Sequence, residues 1–303
     1  MPLTSPSLLL AAILSLVQAA PVLAPDTPVR CDDCEAWNRP RESFRVFGNT
    51  YFVGTDGLSA VLVTSERGHI LLDGGLPQSA PVIDANIRRL GFRTEDVRLI
   101  VNSHEHFDHA GGLAALQRVG GAVVAAGPEA ARALEQGAPT AGDPQATSAR
   151  FPAVKHVRLV RDGETLRVGQ LEITAHSTPG HTPGATTWTW RSCEGQRCLD
   201  VVYADSLSAV SDDGFRFSGD AEHPSKVETF RRSLAALEAL RCDVLLVPHP
   251  FAMGLDAKLA EWKKNPSSNP FIDRNACRTY AAAQRKRLEE RIVNEKNPGP
   301  ARF

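Results

Sequence analysis

Val101-Asn-Ser-His104-Glu-His106-Phe-Asp108-His109-Ala-Gly-Gly112 places three imidazoles and one carboxylate within six residues. The run before it, residues 97–101, is apolar and reads as a strand, so the cluster sits where a strand gives way to a turn. Imidazole nitrogen and carboxylate oxygen are ligands that zinc accepts. Alternation along an extended segment puts His104 and His106 on the same side, where both can reach one ion. Asp108 and His109 continue into the turn and cannot easily face that same ion, which points to a second.

The rest of the chain sets the limits of this reading. Its 303 residues carry 42% hydrophobic and 23% charged side chains, an ordinary balance for a globular protein with an ample core. A formal net charge of −1 and the lack of a long basic stripe argue against a nucleic-acid surface. Residues 8–17 form an apolar run of the length of a signal-peptide core, too short to span a bilayer. Small residues follow, and cleavage is expected near Ala19, although the first seven residues carry no Lys or Arg. The expected organisation is a signal peptide over 1–19, an N-terminal extension over 20–43 and one domain over 44–303. Export to the periplasm follows from the leader, and no later segment approaches a membrane span.

Six cysteines suit an exported chain. Cys193 and Cys198 flank a hairpin-like tip, where a bridge would mainly pin the turn. Cys242 and Cys277 would then join a strand start to the C-terminal helix, leaving Cys31 and Cys34 in a C-x-x-C. That pair could also serve a redox role or bind a separate zinc, and six cysteines leave many pairings open.

The pattern along the chain is strands followed by helices, twice. An antiparallel meander is expected over 44–46, 50–53, 59–64 and 69–73, then a helix over 80–90, a strand over 98–101 and a helix over 111–119. A short strand at 123–126 and a helix over 129–134 follow. Residues 137–153 are rich in Gly, Pro, Thr and Asp and too long for an idle connection. A second β-rich half starts at 155–160 and runs through 166–168, 171–176, 185–190 and 199–204. A helix over 226–240, a strand over 243–247 and a helix over 275–295 complete it. This grammar fits two β-sheets packed face to face with helices outside, an α/β fold of the α+β kind. Loops from both halves can then meet at one edge.

Two more histidines belong at that edge. His181 lies in Ser177-Thr-Pro-Gly-His-Thr-Pro-Gly184 and His249 in Leu245-Leu-Val-Pro-His-Pro250, both at strand ends among Pro and Gly. Core packing explains such positions poorly. His69 and His156 open strands and read as surface or edge residues, and His176 lies on an alternating strand close to His181.

His104-x-His106-x-Asp108-His109, the Pro-Gly-His181 turn and His249 before a proline resemble the metallo-β-lactamase superfamily. Ala204-Asp-Ser-Leu-Ser208, the Trp-rich stretch at 187–193 and the disulfide-bearing, exported chain are most similar to the third subclass of class B β-lactamases. The resemblance spans most of the mature chain and implies an αββα sandwich of two mixed sheets with a two-zinc cleft at one edge. It implies that His104, His106 and His181 hold the first zinc, and that Asp108, His109 and His249 hold the second. A hydroxide bridging the two ions, oriented by Asp108, would attack the amide of a β-lactam, the small-molecule substrate, and thereby confer antibiotic resistance. Ser206 and Ser208 would contact the substrate carboxylate, in a stretch without the lysine that many such enzymes use. Asp73 resembles a carboxylate beneath the metal ligands. Relatives of this kind often carry a cysteine near residues 54–57, where this chain has Asp56. No obligate protein partner is implied.

Two alternatives follow from the same residues. Another secreted hydrolase of the superfamily, a lactonase or a thioester hydrolase of the glyoxalase-two kind, would use Asp205 to bridge the metals. A non-catalytic zinc protein would instead show a closed tetrahedral site.

Overall fold

The structure is a computed structural model that describes residues 23–221 and 223–297. The expected signal peptide, residues 1–19, lies outside the described residues. The first half of the chain runs α1 (Cys34–Trp37), β1 (Phe44–Phe47), β2 (Thr50–Phe52), β3 (Val61–Val63), β4 (His69–Leu72), α2 (Ala80–Arg89) and β5 (Val97–Val101). It continues through α3 (Phe107–Ala110), α4 (Leu113–Gly120), β6 (Val123–Ala126), α5 (Pro128–Gln136) and β7 (Val157–Leu159). The second half runs β8 (Thr165–Val168), β9 (Leu171–Ser177), β10 (Thr186–Glu194), β11 (Arg197–Tyr203), α6 (Val227–Ala239), β12 (Val244–Leu246), α7 (Leu255–Lys264) and α8 (Ala276–Lys296).

Strands β1 to β7 form one sheet in chain order, and a second sheet has the order β12-β11-β10-β9-β8. Both are mixed: β1–β4 pair antiparallel and β4–β7 parallel, while β12 joins β11 parallel to an antiparallel set. The two-sheet sandwich expected from the sequence is the fold observed. One boundary differs. The strand expected at 155–160 to begin the second half instead extends the first sheet, parallel to β6. Its side chains are half-buried or exposed, as suits an edge strand, and local pattern carries no information on which sheet it joins.

Strand alternation explains the layers. In β4 and β5, Ile70, Leu72, Leu99 and Val101 enter the core between the sheets. Leu71 and Ile100 face the other way, into a second core with Ile83 and Ile87 of α2 and Leu113 and Leu116 of α4. A strand buried on both faces reads as an unbroken apolar run, which is how 97–101 appears in sequence. Helix α8 buries Cys277, Tyr280, Ala281, Gln284, Leu288 and Ile292 at helical spacing, a stripe interrupted by polar groups.

Residues 23–43, mostly without helix or strand outside α1, are tied to the body of the fold. The Val29 backbone exchanges hydrogen bonds with the Gln78 side chain, and Cys34 packs with Leu58 and Leu76. Arg39 and Arg41 bind Asp56 at 3.0 and 2.6 Å. Asp56 thus ties this segment to the 54–57 loop by ion pairs, where the family resemblance implies a cysteine. Three disulfides are present: Cys31–Cys34, Cys193–Cys198 and Cys242–Cys277.

Candidate metal centre

The donors arrive from three strand ends. Strand β5 delivers His104 and His106, the loop after β9 delivers His181, and the segment after β12 delivers His249. Asp108 and His109 lie on the single turn of α3, which packs against the Asp73-Gly74-Gly75 turn after β4. Gly74 donates its N–H to His109 O at 2.8 Å. Gly112 must be glycine there, because a Cβ would lie 2.3 Å from Gly74 O.

His104, His106 and His181 bring ligand atoms within 4.8 Å of one another, and their ring centroids are 4.7–4.9 Å apart. The second set is tighter. Asp108 Oδ2 lies 3.2 Å from His109 Nε2 and 3.4 Å from His249 Nε2, and the two imidazole nitrogens are 3.3 Å apart. Donors held tetrahedrally at zinc bond lengths are separated by about 3.3–3.5 Å, so the triangle matches one face of such a site. His104 also groups with Asp108 and His109, and its ring lies 4.3 Å from that of His109, so the two sets are adjacent.

Hydrogen bonds on the far side of each ring fix which nitrogen faces the centre. His181 Nδ1 donates to Ser208 O at 2.9 Å and His249 Nδ1 to Gly57 O at 3.2 Å, leaving both Nε2 lone pairs inward. Gly57 is constrained as well, since a Cβ would meet Trp37 Cδ1 at 2.4 Å. His106 Nε2 donates to Asp143 Oδ1 at 3.1 Å, so Nδ1 is its free donor atom. His104 Nδ1 is 2.9 Å from Asp205 Oδ1 and 3.1 Å from Ser103 Oγ. Its Nε2 is buried without a hydrogen-bond partner. An orphaned imidazole nitrogen costs free energy unless something outside the protein takes it, and a cation fits.

Protonation states agree with that fit. Burial pushes His104 well below the ordinary imidazole value, His181 down to about 3 and His249 down to about 4, so all three are neutral near pH 7. Burial alone would raise Asp108, but the adjacent His109 outweighs it and keeps the carboxylate ionised. Burial also opposes protonation of His109 and His106. The carboxylates of Asp108 and of Asp143 respectively overcome it, so protons compete with a metal at these two rings.

Asp73 lies under the second set with its backbone in the left-handed region (φ 59°). It accepts hydrogen bonds from Asn102 Nδ2, Ser103 N, Ser103 Oγ and Tyr203 Oη at 2.7–3.0 Å. His109 Nδ1 is 3.8 Å from its carboxylate. Asp205 contacts the outer nitrogen of His104, on the side away from the clustered donors, and its second oxygen accepts from Leu207 N. Burial raises the Asp205 carboxyl to about 7. Ser206 Oγ is buried with no hydrogen-bond partner, and Ser208 Oγ lies 3.2 Å from His181 Nδ1. Both serines line a cleft of about 310 Å³ together with Trp37, Asp108 and His249.

Some of these residues escaped the sequence reading. Asp143 has no pattern around it and comes from the 137–153 loop, which sets this buried carboxylate against His106 and also brings Gln145 to the cleft. Glu105 was readable in principle, since alternation turns it away from His104 and His106. Its carboxylate accepts from Thr182 Oγ1 at 2.8 Å and Gly184 N at 2.9 Å, gripping the turn that carries His181. Trp37, 5.2 Å from the His249 ring, lies on α1 in the N-terminal extension, where no motif marks it. His176 stays outside, bonded to Thr189, and His69 is buried under Phe92 rather than at the surface. A larger cavity of about 680 Å³ near Cys193 and Arg241 contains none of the clustered donors.

Asp143→Ala is expected to weaken metal binding by roughly 10–100-fold, because His106 loses the partner that fixes its tautomer and angle. Competition with a chromophoric chelator measures this, and unchanged affinity would contradict the role.

Residues 53–249 match the sequence model described as Metallo-beta-lactamase superfamily. Among solved structures, the chain is similar to Rm3 metallo-beta-lactamase, with TM-score 0.86 and 53% identity over 88% of this chain and 100% of that one. MEM-A1, a subclass B3 metallo-beta-lactamase from a soil metagenome library, gives TM-score 0.83 and 47% identity over 87% and 100%. Metallo-beta-lactamase SMB-1 bound to 2-mercaptoethanesulfonate gives 0.82 and 45% over 86% and 99%. An N-acyl homoserine lactonase of Bacillus cereus is 29% identical over 147 residues, covering 41% of this chain and 54% of that protein. The chain thus spans about half the length of the curated relatives it matches.

Proposed function

Since this chain belongs to the metallo-β-lactamase superfamily, we propose that it is an exported two-zinc β-lactamase. Its substrates in this reading are penicillins, cephalosporins and carbapenems, and its biological effect is antibiotic resistance. The observation that carries the reading is the pair of adjacent donor sets with Asp205 turned outward beneath His104. A lactonase or thioesterase of the same superfamily would place Asp205 between the sets, and a non-catalytic zinc protein would need one closed tetrahedron.

His104, His106 and His181 would hold one zinc, and Asp108, His109 and His249 the other. Zinc held there supplies a Lewis acid that acidifies water and polarises a carbonyl. The chain's own groups do the rest. Asp108, the one carboxylate among the six donors, is ionised and would accept a hydrogen bond from the attacking water and aim it. Ser206 and Ser208 offer hydroxyls to the substrate carboxylate. Trp37 and Phe251, the latter 68% exposed at the cleft mouth, supply an apolar rim for the ring system. Water oxygen ends on the carbonyl carbon and a proton on the released ring nitrogen, which leaves a carboxylate and an amine. No covalent acyl-enzyme is expected, because every cysteine among the described residues is in a disulfide and Ser206 Oγ has no hydrogen-bonded base. The apolar leader and three disulfides support export to an oxidising compartment, the periplasm.

Purified, zinc-loaded protein is expected to hydrolyse nitrocefin and meropenem, to stop with chelator and to resume with zinc. Protein that holds two zincs and leaves both compounds intact overturns the reading. Turnover of an acyl homoserine lactone by that same preparation would favour the lactonase.

A further inference from the structure

Helix α8 forms one wall of the cleft through Tyr280, Gln284 and Arg287, spaced i, i+4 and i+7 on a single face. Tyr280 Oη registers this face against the serines by donating to Ser206 O and to Asp205 O, the latter at 3.2 Å. Among the described residues lining the cleft, Arg287 is the only lysine or arginine. It makes no ion pair with any described residue, whereas its neighbours on the helix are engaged. Arg285 pairs with Glu238 at 2.9 Å, and Arg291 pairs with Glu295 at 2.9 Å and bonds Ser211 Oγ and Phe215 O. Burial pushes the Tyr280 hydroxyl up, and the Arg287 charge acts against that shift, which puts the guanidinium within electrostatic reach of the group holding Ser206. Two buried polar atoms close by have no hydrogen-bond partner: Ser206 Oγ, and Oε1 of Gln284, a residue only 3% exposed.

A solvated arginine at a helix surface would be unremarkable by itself. Here the charge lines the same cleft as an unsatisfied hydroxyl, and the described lining holds no other lysine or arginine. We propose that Arg287 is the specificity-determining cation that receives the substrate carboxylate, with the Ser206 hydroxyl as its second donor. The proposal rests on the β-lactamase reading above. A planar guanidinium can give a carboxylate two parallel hydrogen bonds, which fixes the orientation of the bicyclic ring as well as binding it.

The test is steady-state kinetics of the zinc-loaded enzyme with Arg287→Ala, Arg287→Lys and Arg287→Glu on benzylpenicillin and on its methyl ester. KM for the free acid is expected to rise about tenfold in Arg287→Ala, with kcat little changed. It should rise further in Arg287→Glu and recover in Arg287→Lys. The ester should not distinguish wild type from Arg287→Ala. Because Arg287 is exposed, thermal unfolding of all three variants should match wild type. An active wild type whose KM for the free acid is unmoved by Ala and by Glu overturns this proposal alone. A wild type that hydrolyses no β-lactam overturns the functional reading, and this one with it.

Discussion

Replacing Asp108 by alanine is expected to lower kcat/KM for a β-lactam by at least about a thousand-fold, several kcal/mol of transition-state stabilisation. In the proposed two-zinc site Asp108 is the only anionic donor among six, so its loss would leave five neutral imidazoles to hold two divalent ions. The second set would be reduced to His109 and His249, while His104, His106 and His181 remain intact. Zinc content should therefore fall from two per chain to one, as measured by metal analysis after gel filtration. Asp108→Asn keeps the size and loses the charge, and it should resemble the alanine variant, since charge is the property that matters. A variant that retains two zincs and full activity would remove Asp108 from both roles.

Asp73→Ala is expected to destabilise the protein by about 3–5 kcal/mol, the cost of breaking a fully buried polar network by removing one partner. Four donors converge on this carboxylate, and alanine satisfies none of them. Burial pushes the Asp73 carboxyl up, while His109 and the hydrogen bonds from Ser103 and Tyr203 pull it down. Burial likewise raises the Tyr203 hydroxyl, which keeps its proton and donates it. Alanine is also strained at φ 59°, a conformation that asparagine tolerates better. Asp73→Asn keeps one acceptor oxygen and should fall between alanine and wild type. The midpoint of thermal unfolding should drop by roughly 6–20 °C in the alanine variant, at about 2–4 °C per kcal/mol for a domain of roughly 150–250 residues. Scans in chelator keep lost metal affinity out of the comparison. A shift under about 2 °C, less than the expected effect of 1 kcal/mol, would show that the network is dispensable.

The two variants probe different layers. In the proposed site Asp108 would act on the reacting groups, whereas Asp73 holds the backbone turn and the Ser103 hydrogen bonds next to His104 and His109. Stability and catalysis should therefore separate, with Asp108→Ala melting close to wild type in chelator.

Much of the fold was legible because its signals are local. Apolar, β-branched runs bounded by turn residues identified most strands of both sheets, and Pro- and Gly-bounded histidines at 181 and 249 stood out against any packing role. The position of β7 was not legible, because a three-residue edge strand carries no label for its sheet. Helix α7 was missed for a related reason: only Leu255 of its ten residues is buried, so its pattern has no apolar stripe to read. Asp143 and Arg287 were missed because each meets the site across a long chain separation. Asp143 bonds a ring 37 positions away, and Arg287 flanks serines from the second sheet.

Residue identity alone determined the donor inventory: which side chains can bind a metal, and which two share one side of an extended segment. These properties belong to side-chain chemistry and to the geometry of a few consecutive residues. Only the tertiary structure decided which nitrogen of each imidazole faces inward, since that depends on Gly57, Asp143, Asp205 and Ser208 arriving from elsewhere in the chain. It also decided that Asp205 lies behind His104 rather than among the donors. A carboxylate two residues past a strand end can point either way, and the packing of α8 on that segment, through Tyr280, selects one of them.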